Sequence, residues 1–224
     1  MNEPNLRILQ DNLAGLAFTI HFDMGTWSAP RCGTTLCLAG LGTTLELSKT
    51  SKDHEPSLDN LSTETLYKEL HEQFIEFHDL NFYVFHACKY LAISYDNLLS
   101  IWHFGEWPLT LKNLYRPRYP DKIKEKYIQI FPNSKLSRFA IPAYFWQTLA
   151  GYLALEAFYE YSLNNKLDAW LYRSCNDIEG CLVPGKEKPY ECLSLWLTKY
   201  SDRVIHFEQI AIQSEPAKEF LYKD

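Results

Sequence analysis

"FAIPAYFWQTLAGYLAL", residues 139–155, runs without a single charge; it contains Pro142, Gln147 and Gly151 and is followed by Glu156 and Glu160. A membrane-spanning helix needs about 20 mostly apolar residues, and this stretch falls slightly short. Pro142 suits the first turn of a helix, and a helix that is apolar nearly all round belongs at the centre of a core. Outward from it, helical spacing recurs. Leu6, Leu9, Leu13 and Leu16 predict a first amphipathic helix, and Leu66, Leu70, Phe74 and Phe77 predict another that breaks near Asp79 to Asn81. "DKIKEKYIQIF" and "LSLWLTKY" also read as helices. The expected fold is mainly α: a single compact helical domain over residues 1–224, with at most a small two- or three-stranded sheet. The sheet would come from "FTIHF" (18–22) and "RVIHFEQIAI" (203–212), whose shared Ile-His-Phe suggests that they pair. Residues 48–60 read as a surface loop, 103–121 as an irregular connection punctuated by Gly105, Pro108, Pro117 and Pro120, and 174–192 as a cysteine-containing loop.

The 224 residues carry a net charge of -6 and 46% hydrophobic content, enough for one substantial core and without a global positive field to recruit nucleic acid or an anionic membrane. "MNEPNLRILQDNLAGLA" intersperses charges among its apolar positions and does not read as a secretion signal, so a cytoplasmic location is expected. The six cysteines are then expected as free thiols.

The stretch "HFDMGTWSAPRCGTTLCLAGLGTTLEL" (21–47) predicts a helix start. Gly33 permits the turn, Thr34 or Thr35 caps the helix, Gly40 allows close helix approach, and Trp27, Leu36, Cys37, Leu38 and Ala39 enter the core. Cys32 lies at or just before that helix N-terminus beside Arg31, a place where a thiol pKa falls. The residues Phe22, Asp23, Trp27, Cys32, Gly33, Thr34, Cys37, Ala39 and Gly40, followed by Leu91, Ser94 and the Trp107-Pro108 pair, resemble a family of uncharacterised phage and bacterial proteins. Leu41 stands where that family usually has Trp. The resemblance covers roughly the first half of the chain and implies a cytoplasmic, mainly helical, phage-like protein; it implies no activity.

Several chemistries compete for these residues. Cys32 as nucleophile, His206 as base and Asp23 or Gln10 as orienting group would make a cysteine hydrolase or transferase, like peptidases that place a Cys at an early helix start. Cys32 and Cys37, with Cys175, Cys181 and Cys192, raise a zinc site, although the second set is spaced too widely for a usual structural pair. A carboxylate-bridged metal bundle lacks its Glu-x-x-His step. Lys112, Arg116, Arg118, Lys122, Lys124 and Lys126 interleave with Tyr115, Tyr119 and Tyr127, a pattern able to grip phosphates and stack on unpaired bases. Asp121 and Glu125 dilute that patch. The leading expectation is a non-catalytic binding protein with no cofactor and a protein partner, because 13 Phe, 15 Tyr and 6 Trp exceed what organises chemistry and suit an interface. Nucleic acid is the less favoured partner, and a membrane is not expected.

Overall fold

The computed structural model describes residues 1–24, 37–50, 80–93, 107–163 and 189–221. Among these residues the protein is mainly α. Its helices are α1 (Glu3–Gly15), α2 (Leu38–Thr50), α3 (Leu80–Leu91), α4 (Leu109–Tyr115), α5 (Pro120–Ile130), α6 (Ala143–Leu163), α7 (Pro189–Lys199), α8 (Ser201–Gln213) and α9 (Glu215–Leu221). A 3-10 turn occupies Lys135–Arg138. The chain divides into two compact units, one of residues 1–9 and 20–104, the other of residues 10–19 and 105–224.

Neither expected strand forms a ladder. Residues 18–20 are turn and bend, and Phe22 makes only an isolated bridge. The stretch 203–212 lies within α8, where Val204, Phe207, Glu208 and Ala211 are buried at i, i+3, i+4 and i+7 while Ile205 is 44% exposed. That burial has helical, not twofold, periodicity. The connection over 103–121 also holds more order than its prolines suggest. Pro108 caps α4, its carbonyl accepting from the Lys112 amide at 3.0 Å, and Pro120 opens α5 at the first helical position. At its near edge, the loop expected over 48–60 yields residues 48–50 to the end of α2, and residues 189–192 of the expected cysteine loop belong to α7.

In the first unit, α2 packs on α3. Gly42 makes the approach possible: a Cβ there would lie 3.1 Å from Ala87 Cβ and 3.4 Å from its Cα. Close approach is thus shown at Gly42. Gly40, expected in that role, is buried, and its amide caps α2. Lys89 on α3 reaches Glu46 on α2 at 2.8 Å.

The end of α3 shows where four orphaned carbonyls go. Ala92 adopts a left-handed φ of 49°, so that the Ile93 amide reaches Cys88 O at 3.1 Å and the Ala92 amide reaches Lys89 O at 3.2 Å. This pair of bonds is a Schellman ending. The next two carbonyls are met by α1: the Asn5 side chain donates to Tyr90 O, and the Asn2 amide donates to Leu91 O at 2.7 Å.

In the second unit, α6 is buried from Phe145 to Phe158 except at the half-buried Gln147. Helices α4 and α8 pack against it, and α7 packs on α4, α5 and α8. Rings interlock at tilted or edge-on angles around Phe145, which meets Phe18 at 5.5 Å, Trp146 at 5.1 Å and Phe207 at 5.3 Å between centroids. Such geometry suits the ring quadrupole.

Two substitutions test these placements. Gly42→Leu should lower stability by about 1 to 3 kcal/mol through overpacking against Ala87, and an unchanged urea midpoint would contradict the α2–α3 approach. Ala92→Gly should raise stability by about 0.5 to 1 kcal/mol, since glycine adopts the left-handed conformation without the Cβ clash; a lower thermal midpoint would contradict the Schellman ending.

Candidate functional site

Cys32, Trp27, Gly33 and Thr34 lie outside the described residues. Cys37, the other thiol of the motif, sits at the N-terminus of α2 as its cap. Its Sγ accepts from the Gly40 amide at 3.4 Å, and its carbonyl accepts from the Leu41 amide at 3.0 Å. The capping residue is thus Cys37, later in the chain than the two threonines expected to cap. Two influences oppose each other at this thiol. Burial raises its pKa, the amides of Gly40 and Ala39 lower it, and Asp23 raises it further through its charge; the outcome is about 11. Burial therefore outweighs the helix terminus. Cys88 on α3 is also buried, and desolvation likewise lifts its thiol to about 11. Leu38 and Ala39 are fully buried beside Cys37, as the motif predicts. Leu91, from the later part of the motif, is fully buried as well.

His206 lies on α8, and its Nε2 meets Asp11 Oδ1 of α1 at 3.0 Å. Asp11, not Asp23, is the carboxylate paired with this imidazole; Asp23 acts electrostatically on Cys37. Next to Asp11, Gln10 is fully buried and donates Nε2 to Glu156 Oε2 at 2.9 Å and to Tyr152 O at 3.4 Å. Arg203 approaches the other Glu156 oxygen at 3.4 Å. One turn along α6, Glu160 accepts from Tyr200 at 2.7 Å and pairs with Lys199 at 2.9 Å. Burial resists ionisation of Glu160, but Lys199 and Tyr200 together outweigh it and hold its carboxyl below the ordinary value. Glu156 and Glu160 thus pair with separate cations. Among the described residues no group of three His, Cys, Asp or Glu side chains is placed to hold a metal ion. The remaining cysteines of the zinc alternative lie outside the described side chains.

The basic, tyrosine-rich stretch splits into inward and outward parts. Tyr115 is 1% exposed and meets Trp107 edge-on at 6.0 Å, so that Trp107, Pro108 and Tyr115 together fix the start and end of α4. Tyr127 is buried against Phe131 and Trp146. Lys124 donates to Phe139 O at 2.6 Å, and Lys126 donates to Gln129 at 3.2 Å. What faces solvent is Arg116, Arg118, Tyr119 and Lys122, with Asp121 and Glu125 exposed beside them. Tyr119 is 46% exposed, with the Arg118 guanidinium 5.4 Å and the Lys122 ammonium 5.1 Å from its ring centroid. Arg116 lies 5.8 Å from the Tyr115 ring. Two cations held at one exposed ring form a compact positive spot that a sum over the chain conceals.

Glu208 is a site residue that sequence reading passes over. Buried on α8, it accepts from Tyr127 at 2.7 Å, from Ser134 at 2.8 Å and from the Lys135 amide at 3.0 Å. Its signal in the sequence is slight: a carboxylate inside the mostly apolar "VIHFEQIAI" run. Burial and the Glu208 charge hold the Tyr127 phenol well above its ordinary pKa.

Comparison with protein families, with curated proteins and with solved structures finds no match. No helix among the described residues is long and apolar enough to cross a membrane.

The thiol chemistry has a direct check. A thiol held near 11 stays protonated at neutral pH, and its stabilising protonated form is present below the unfolded pKa and lost as pH rises through 11. Iodoacetamide at pH 8 should therefore modify Cys37 and Cys88 on the order of a hundredfold more slowly than a free thiol of pKa about 8.5, with denaturant restoring ordinary rates. Rapid labelling of folded Cys37, identified by peptide mapping, would contradict the burial of this cap.

Proposed function

We propose that this chain is a non-catalytic, cytoplasmic binding protein of the phage or mobile-element type, and that Arg118, Tyr119 and Lys122 form part of its contact surface for an acidic protein partner. The observation that carries the reading is the exposed Tyr119 ring with two cations at 5.4 and 5.1 Å. A tyrosine offers a large contact area at small entropic cost, and neighbouring guanidinium and ammonium groups add charge selectivity. A protein partner suits this spot better than unpaired bases. Stacking along a strand needs successive free rings, whereas Tyr115 and Tyr127 are buried and the Tyr119 ring is already approached by cations. The buried, protonated Cys37 and the ion-paired Glu156 and Glu160 also support a structural use of these groups. The type of protein rests on the resemblance alone.

Charge reversal provides the test. An Arg118→Glu/Lys122→Glu variant and a separate Tyr119→Ala variant replace exposed residues and should keep the wild-type thermal midpoint. Immobilised wild-type protein should retain a discrete protein from host lysate, both variants should lose it by at least about tenfold, and added salt should weaken capture. Equal capture by the variants, or capture abolished by nuclease, would overturn the assignment.

A further inference from the structure

Beside Glu208, in the second unit, the surface opens into a cavity of about 540 Å³, a size within the usual range for small-ligand sites. Phe131, Pro132, Ile205 and Ile212 supply apolar wall, and Gln209 and Gln213 supply amides. Glu208 is the acidic residue of this lining and is itself only 8% exposed. Its three hydrogen bonds come from neutral donors, a phenol, an alcohol and a backbone amide. Two fall on Oε2 and one on Oε1, which leaves acceptor capacity on Oε1. Among the described residues no cation pairs with this carboxylate, whereas Glu46, Glu156 and Glu160 each have one. Lys135 shares the lining through an exposed side chain and gives Glu208 only its backbone amide. Buried charges are ordinarily paired as well as hydrogen-bonded.

We infer that this cavity is a binding site for an alkylammonium group on an apolar stem, the cation seated at Glu208 and the stem lying against Phe131, Ile205 and Ile212. The site is separate from the Tyr119 surface and stands or falls independently of it. Charge fixes the head group, since an ammonium donates to Oε1 and neutralises the carboxylate, while an alcohol offers only the hydrogen bond. Lys135 places a like charge on the same lining, which repels an incoming ammonium.

The Lys135 amide, bonded directly to Glu208, is the reporter in a two-dimensional NMR titration of the whole chain. Hexylammonium should shift it saturably and bind at least about tenfold tighter than hexanol, the gain expected of a charge-assisted contact. Ile205→Trp, at a 44% exposed wall position, should block binding with the fold intact. Lys135→Met should tighten it by removing a like charge from the lining, and Glu208→Gln should erase the preference for ammonium over alcohol. Nα-acetyl-lysine methylamide distinguishes the source: binding of both probes assigns the site to a polypeptide lysine, and binding of hexylammonium alone assigns it to a free amine. Equal affinity for hexanol, shifts unaffected by Ile205→Trp, or no saturable shift would overturn the inference. If Glu208→Gln fails to fold, the Ile205→Trp and Lys135→Met results still decide.

Discussion

A helix with no polar face can exist in water only if something encloses it. Helix α6 imposes that constraint on the second unit. From Phe145 to Phe158 its residues are buried around the circumference apart from the half-buried Gln147, and each large aliphatic or aromatic side chain so removed from water contributes about 1.5 to 3 kcal/mol. The polar exceptions show how the enclosure is kept. Glu156 lies at its edge with Gln10 and Arg203, Glu160 follows one turn later with Lys199 and Tyr200, and Thr148 donates back to Tyr144 O at 2.8 Å. Glu156 and Glu160 take their partners from other helices, so that these ion pairs also fix which helices are neighbours. A partly buried pair of this kind is costly to break from one side, because the remaining charge has nowhere to go.

Much of this is legible in the chain. The uncharged run at 139–155 announces α6, and spaced leucines announce α1, because one-sided or all-round burial leaves a period that composition cannot imitate. α8 is misleading for an identifiable reason. Ile205, Ile210 and Ile212 stand outside the buried set of Val204, Phe207, Glu208 and Ala211, and their apolar, β-branched character turns a helical pattern into apparent alternation. The tertiary surroundings, not local preference, select the helix there. The short α4 is hidden by its prolines, which punctuate its ends without entering it.

The sites are less legible than the fold. Tyr115 and Tyr119 are four residues apart in the same basic stretch, yet one meets Trp107 in the interior and the other stands in solvent between cations. No local pattern separates them, since the distinction depends on where α4 ends. At the described end of the cysteine motif, Cys37, Leu38 and Ala39 are buried at a helix start, and the capping atom is the Cys37 sulfur. Glu208 is the hardest to find. Its importance comes from three donors held 73 to 81 residues away in sequence, and nothing beside it foretells them.

The bonds made by α1 carry a consequence for the order in which the chain acquires structure. Asn5 reaches its carbonyl partner across 85 residues, Gln10 reaches Glu156 across 146, and Asp11 reaches His206 across 195. Helix α1 is therefore made before its partners, the last of which is His206. An isolated helix of this length is marginal in water, and loop-closure entropy delays contacts of such separation. Until those residues are made the leucine face of α1 stays uncovered, which makes it a natural point of engagement for a chaperone.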